Sequence, residues 1–303
     1  MSLVQDSPFL PLCPSGCRNH VVRRGLYTRS SDKKTIQRFL CRSCKKSFSS
    51  ATFEPCFRQK RRDINPHLFR LLTGGFSQRR SALDLQINRK TVVRKFIFLG
   101  LWAAKLSSAL NQNHPPAETI EFDDLETSEH TKCKPLSVTL AVEFHSRRIL
   151  GFRVAQMPAK GLLSHLAKKK YGPRPDERTK KRKELFQEIK PLVAPTALIK
   201  SDENPHYAPD VSKHFQGCHH QRFKGKRGCV TGQGELKKIG FDPLFSLNHT
   251  CAMMRANINR LFRRTWCTTK KKERLALHIA LYALRHNQDL ILKKPKMKTA
   301  KTI

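Results

Sequence analysis

Residues 120–126 read Ile-Glu-Phe-Asp-Asp-Leu-Glu, an alternating run that predicts a strand carrying Asp123 and Asp124 at its end. A second strand-like run, Ala-Leu-Ile-Lys-Ser at 197–201, ends on Asp202. Only 23 acids stand against 60 Lys and Arg, so each acid set in an apolar strand needs a reason. Either aspartate alone reads most simply as the cap of a turn. As a pair on separate strands, Asp123 and Asp202 are candidate ligands for a divalent cation. Two such carboxylates serve in-line phosphoryl transfer, with metal at the attacking and the leaving oxygen. Mg²⁺, or Mn²⁺ in its place, suits oxygen ligands and keeps waters for a substrate phosphate.

Outward from this stretch, 136–144 (LSVTLAVEF) and 147–157 (RRILGFRVAQM) predict a hairpin turning near His145 and Ser146. Residues 248–266 have helical periodicity, and 273–287 predict a second, more apolar helix. The run 168–183 holds nine Lys or Arg and reads as a flexible loop that follows backbone phosphate. Trp266 reads as a core residue. Tyr207 can stack or pack.

Toward the N-terminus, Cys13 and Cys17 are followed after 23 residues by Cys41 and Cys44. Two short cysteine pairs on two turns can close a tetrahedral four-thiolate zinc site. The strand-like runs between them give the layout of a zinc ribbon. Residues 62–74 and 77–86 predict two helices, with Ser77 as an N-cap, and a third begins after the turn at 87–91. Arg79, Arg80, Arg89, Lys90, Arg94 and Lys95 crowd their exposed positions, as in a helix-turn-helix with its recognition helix starting near Arg89. A plain helical bundle with a basic face is the simpler reading. His214, Cys218, His219, His220 and Cys229 match no defensible metal spacing, and a basic loop with buried thiols is preferred.

The net charge is +37 over 303 residues, about one uncompensated positive charge per eight. Self-repulsion on that scale points to a polyanionic partner. Hydrophobic residues at 38% supply real cores, and no apolar run approaches a membrane span. The start lacks a secretion signal, so the expected location is cytoplasmic and nucleoid-associated, where ten cysteines suit metal or burial better than disulfides. The expected boundaries are 1–60 zinc ribbon, 61–110 helix-turn-helix, 111–119 linker, 120–287 catalytic domain and 288–303 basic tail.

Three motifs carry a resemblance over nearly the whole chain. Phe122-Asp123-Asp124-Leu125 is the first. Ser201-Asp202-Glu203-Asn204-Pro205-His206-Tyr207 is the second. The third and most specific runs from Arg255 through Ile258, Arg260, Leu261, Arg263 and Arg264 to Thr265. Together they resemble bacterial insertion-sequence transposases with an N-terminal zinc ribbon, a helix-turn-helix and a DDE-type ribonuclease H-like domain. The resemblance implies an α+β and α/β multidomain chain whose last domain is a mixed sheet with flanking helices. It implies DNA cleavage and strand transfer on Asp123 and Asp202, with terminal inverted repeats and target DNA as partners and a homo-oligomer as the working form.

The family's third acid aligns with Asn248, an uncharged oxygen ligand, and its basic partner with Arg255, seven residues on. Glu235 ranks second for that place and His249 third; the plain alternative for Asn248 is a helix N-cap. The other function class is a non-catalytic zinc-ribbon and helix-turn-helix DNA-binding regulator, or a copy of the transposase that has lost activity.

Overall fold

In the computed structural model the described residues are 10–17, 20–224, 242–262 and 265–292. They form a mixed α/β structure with two sheets, divided into one compact unit up to His67 and a second from Leu68 onward.

The first unit is a three-stranded antiparallel sheet of β1 (Val21–Thr28), β2 (Thr35–Cys41) and β3 (Ser47–Ser49). Its apolar cluster is small: Phe39 and Phe48, with ring centroids 5.5 Å apart, beside buried Cys13 and Cys41. So little burial leaves a unit of this size short of stability without a further staple.

Helix α1 (Asn65–Thr73) runs across the boundary at 67, and α2 (Gln78–Asp84) and α3 (Arg89–Gln112) follow in the second unit. Ser77 Oγ accepts from the Arg80 N–H at 3.2 Å, and Asn88 Oδ1 accepts from the Lys90 N–H at 2.8 Å. These caps set the starts of α2 and α3. Val92, Lys95, Phe96, Leu99 and Ala103 bury one stripe of α3 at helical spacing. Lys95 therefore belongs to the packed face and not to the exposed basic one.

A five-stranded sheet follows. It is built of β4 (Ala117–Ser128), β5 (Pro135–Glu143), β6 (Ile149–Gln156), β7 (Val193–Asp202) and β8 (His219–Phe223), in the order β6-β5-β4-β7-β8. The first three strands are antiparallel; β7 runs parallel to β4, and β8 parallel to β7. Central β5 is buried at all seven inner positions, as a strand covered on both faces must be. One face packs on α7 (Phe245–Asn257) and α8 (Lys272–Leu292) through Leu125, Val138, Met254 and Ile279. The other packs on α5 (Arg178–Ile189) and α6 (Tyr207–His214) through Phe122, Phe186, Ile199 and Tyr207.

Five sequence expectations change. Of the stretch 111–119, Asn111 and Gln112 end α3 and 117–119 open β4, so the connection shortens to 113–116. Asn111 is buried there, and its Nδ2 donates to the Ile149 carbonyl at 3.0 Å, beside Asn287 from α8. The basic run 168–183 is largely helical, in α4 (Leu163–Tyr171) and α5. Charge masked its apolar spacing: Arg182, Leu185, Phe186 and Ile189 bury one face of α5.

The helix expected over 248–266 ends at Asn257. Ile258 turns extended (φ −103°, ψ 105°), and it and Leu261 drop into the sheet core. Trp266 is 73% exposed and belongs to no core. At the C-terminus α8 continues through Gln288 to Leu292, where an exposed tail was expected. No helix among the described residues is long and apolar enough to cross a membrane.

Candidate metal centre and acidic site

The four sulfur atoms of Cys13, Cys17, Cys41 and Cys44 all lie within 4.8 Å of one another. Two turns bring them together. Gly16 takes φ +81° while its N–H donates to the Cys13 carbonyl at 2.9 Å; Cys41 ends β2, and Lys45 takes φ +58° as the chain turns into β3. The Cys13 and Cys44 sulfurs are 3.6 Å apart. A tetrahedral metal with bonds of about 2.3 Å requires about 3.8 Å between its sulfurs, so the cluster has the right size. The N–H of Ser15 points to Cys13 Sγ at 3.4 Å. The backbone N–H of Cys44 is the largest influence holding the Cys41 thiol down to about 6, toward the thiolate a metal needs. Crowding by the other sulfurs, Cys44 first, pushes Cys17 up to about 12. Four thiols without a cation thus compete for protons that a metal would displace.

The acidic site lies on neighbouring parallel strands. Thr119, Ile120 and Glu121 pair with Leu198, Ile199 and Lys200 in one constant register. The pairing stops there; continued two residues further, that register leads Asp123 toward Asp202, whose charge is felt at the Asp123 carboxyl. Asp202 ends β7, but Asp123 lies in the middle of β4, which continues to Ser128. Burial pushes the Asp123 carboxyl up to about 6, and the charge of Asp202 adds to the shift. Two donors hold Asp123 Oδ1: the Tyr207 hydroxyl at 3.0 Å and the Asp124 N–H at 2.7 Å. Tyr207 is fully buried, with the Arg182 guanidinium over its ring at 4.9 Å. Arg182 in turn grips Asp210 in a buried ion pair, its Nε 2.8 Å from Oδ2. Asp202 Oδ1 accepts from the Asn204 N–H at 3.0 Å.

Helix α7 carries Asn248, the candidate for the third group. Asn248 is exposed, one turn inside the helix, and its Nδ2 donates to Asp242 Oδ2 at 2.9 Å. Leu244 occupies the N-cap position, so Asn248 is not the cap. Cys251 and Arg255 share its face, three and seven residues on. Burial pushes the Cys251 thiol up to about 12; Arg255 pulls it down and Asp123 pushes it further up.

His249 lies elsewhere, with its Nδ1 2.9 Å from an Arg147 nitrogen and its ring against Phe245. Glu235 and Cys229 lie outside the described residues. Among the described residues His214, Cys218, His219 and His220 form no metal cluster. His220 bonds Ser201 Oγ at 2.9 Å, and His214 bonds the Asp210 carbonyl at 2.8 Å.

Two residues escaped the sequence reading. Glu121, fully buried two places before Asp123, accepts from the Leu247 N–H at 2.8 Å and so ties the start of α7 to β4. Burial raises its carboxyl, while that N–H and the Lys200 charge oppose the rise. The signal was present, since Glu121 shares a strand face with Asp123 at period two. Asp242, whose Oδ1 accepts from the Leu244 N–H at 3.0 Å, was announced by the Asp-Pro that opens α7. The basic residues of the second and third helices, Arg79, Arg80, Arg89, Lys90 and Arg94, are all exposed.

No protein-family model matches the chain, and comparison with curated proteins finds no match.

Proposed function

We propose that the chain is a DNA strand transferase of the transposase kind its motifs resemble, with a zinc ribbon, a helix-turn-helix in α1–α3 and a ribonuclease H-like domain. The observation that carries this reading is the parallel register of β4 and β7, which leads Asp123 toward Asp202, together with the rise of the Asp123 carboxyl to about 6 through burial and the charge of Asp202. The sheet order, three antiparallel strands and then two parallel ones between helical layers, supports the fold assignment.

Asp123 and Asp202 would hold Mg²⁺ or Mn²⁺, with the Asn248 carbonyl as a neutral companion. The donor set fits, because a buried carboxylate beside a second one is relieved by a hard cation. The bound cation would supply a nucleophile at neutral pH and charge stabilisation at the phosphate. The chain's own residues do the positioning. Tyr207 and the Asp124 N–H fix Asp123 through Oδ1, which leaves Oδ2 for a ligand. Glu121 pins the start of α7 to β4, and Arg255, further along that helix, would serve as a phosphate contact. Water then cleaves the strand at the element's end, and the released 3′-hydroxyl attacks target DNA. No covalent protein intermediate is required, because positioning and charge carry phosphoryl transfer. Cys13, Cys17, Cys41 and Cys44 hold structural zinc.

The test is nicking of DNA that carries the sequence flanking the coding region. Asp123→Asn and Asp202→Asn should each lower metal-dependent nicking by at least about a hundredfold while leaving DNA affinity unchanged. Full nicking by either variant removes the catalytic reading, and a wild type that binds this DNA without nicking it supports a regulator. Asn248→Glu belongs in the same series: higher nicking marks Asn248 as a degraded ligand, and lower nicking marks it as the working one.

A further inference from the structure

A cleft of about 610 Å³ opens in the second unit, between the α2–α3 region and the segment after α7. That size falls within the range of about 300–1,000 Å³ usual for small-molecule sites. Arg79, Arg80 and Arg89 line it from one side, and Phe262, Trp266 and Lys270 from the other. Among the described residues no carboxylate lines it. Its floor is fixed by a close approach: a Cβ on Gly75, which takes φ +84°, would meet Phe262 Cζ at 3.2 Å.

Two features here serve no purpose in the fold. The Trp266 indole is 73% exposed, although a large apolar ring gains most by burial. The side chains of Arg79, Arg80, Arg89 and Lys270 form no ion pair among the described residues. Clustered cations without acids select an anion, and an exposed indole beside them selects a flat ring. A nucleotide is both. In a paired duplex the base faces are already stacked on each other, so only an unpaired base can reach an indole.

We propose that this cleft takes an unpaired nucleotide of a single DNA strand, its base stacked on Trp266 and its flanking phosphates on Arg79, Arg89 and Lys270. The inference rests on the DNA-binding part of the proposed function and not on catalysis. It assigns Trp266 a role in choosing strand state, where phosphate contacts alone choose nothing.

The experiment uses the full chain, a labelled oligothymidylate and a duplex of equal length, read by fluorescence anisotropy and by quenching of tryptophan emission. Trp266→Ala should weaken single-strand binding by about tenfold, the loss that removing one base stack produces, and leave duplex binding within about twofold. Trp266→Phe should retain most of the single-strand affinity, because a phenyl ring still stacks. Quenching by oligothymidylate should be strong in the wild type and largely absent in Trp266→Phe, where Trp102 is the remaining indole.

Unchanged single-strand affinity in Trp266→Ala, with duplex binding intact, overturns this inference alone. Polyglutamate that displaces the oligonucleotide as well as unlabelled oligothymidylate does also overturns it, since the cleft would then select charge without a base. A wild type that binds neither DNA form defeats the DNA reading and this site together. None of these measurements reads nicking, which keeps failure of the nicking assignment separate.

Discussion

His278 illustrates how one buried side chain turns into a pH dependence. It lies on α8 against Phe96 of α3, ring centroids 4.3 Å apart, and is only 4% exposed. Its Nε2 has no partner among the described residues. Burial pushes the ring down to about 3, and the charge of Arg260 pushes the same way. The unfolded chain binds that proton near the ordinary value of about 6.5. The stability this neutral ring allows is complete above about 6.5 and is lost as pH falls toward 3. Asp123 works oppositely: its raised carboxyl disfavours the folded state above about 6 and is relieved below it. The two separate by mutation. The loss of stability between pH 7 and pH 4, measured by urea unfolding, should shrink by roughly 1–3 kcal/mol in His278→Leu. An equal loss in wild type and variant would show that His278 titrates normally. Histidines and aspartates were visible in the sequence, but burial, which makes these two unusual, belongs to the packing.

Among the elements, the β1–β3 sheet and α3 stand at opposite extremes. The small sheet has two buried phenyl rings and four thiols for a core, so the metal should supply much of its stability. Metal analysis of the whole chain should return about one zinc, and Cys41→Ser with Cys44→Ser should bring it near zero. Chelation should open residues up to 67 to protease while leaving the second unit protected; zinc that survives the double substitution would refute the site. Helix α3 is bound into its unit by apolar contact with α8. Gly100 permits the crossing, since a Cβ there would lie 2.7 Å from Leu277 Cβ. Leu281 and Leu284 of α8 share a core with Leu68, Val92 and Phe96. The cysteine spacing was legible because a tetrahedral site needs local pairs. The depth to which α3 enters its unit was not, because an amphipathic stripe announces burial without naming its partner.

For the molecule as a whole, the +37 charge should dominate its dealings with DNA. Each phosphate contact releases counterions, so affinity for DNA of any sequence should fall roughly a thousandfold between about 50 and 200 mM salt. A slope near zero in a titration of affinity against salt would mean that the basic surface does not meet phosphate. Architecture also decides where the chain can be divided. A cut at residue 110 would strip α8 of Phe96 and Leu99, whereas a cut at 67 follows the boundary between the compact units.

By itself the sequence determined the cysteine cluster, the Ser77 cap of α2, the β5–β6 hairpin and the two strands that carry Asp123 and Asp202. Each is written in local spacing, period or turn chemistry, which survives without knowledge of the rest of the chain. Only the tertiary structure decided that Asp123 feels the charge of Asp202, that Glu121 anchors α7 and that Tyr207 holds Asp123. The same holds for the helices within the lysine-rich run and for the exposure of Trp266. Those facts depend on register between strands distant in sequence and on which faces meet. A parallel pairing between β4 and β7 leaves no mark in either strand alone, and a side chain's exposure is set by its neighbours in space.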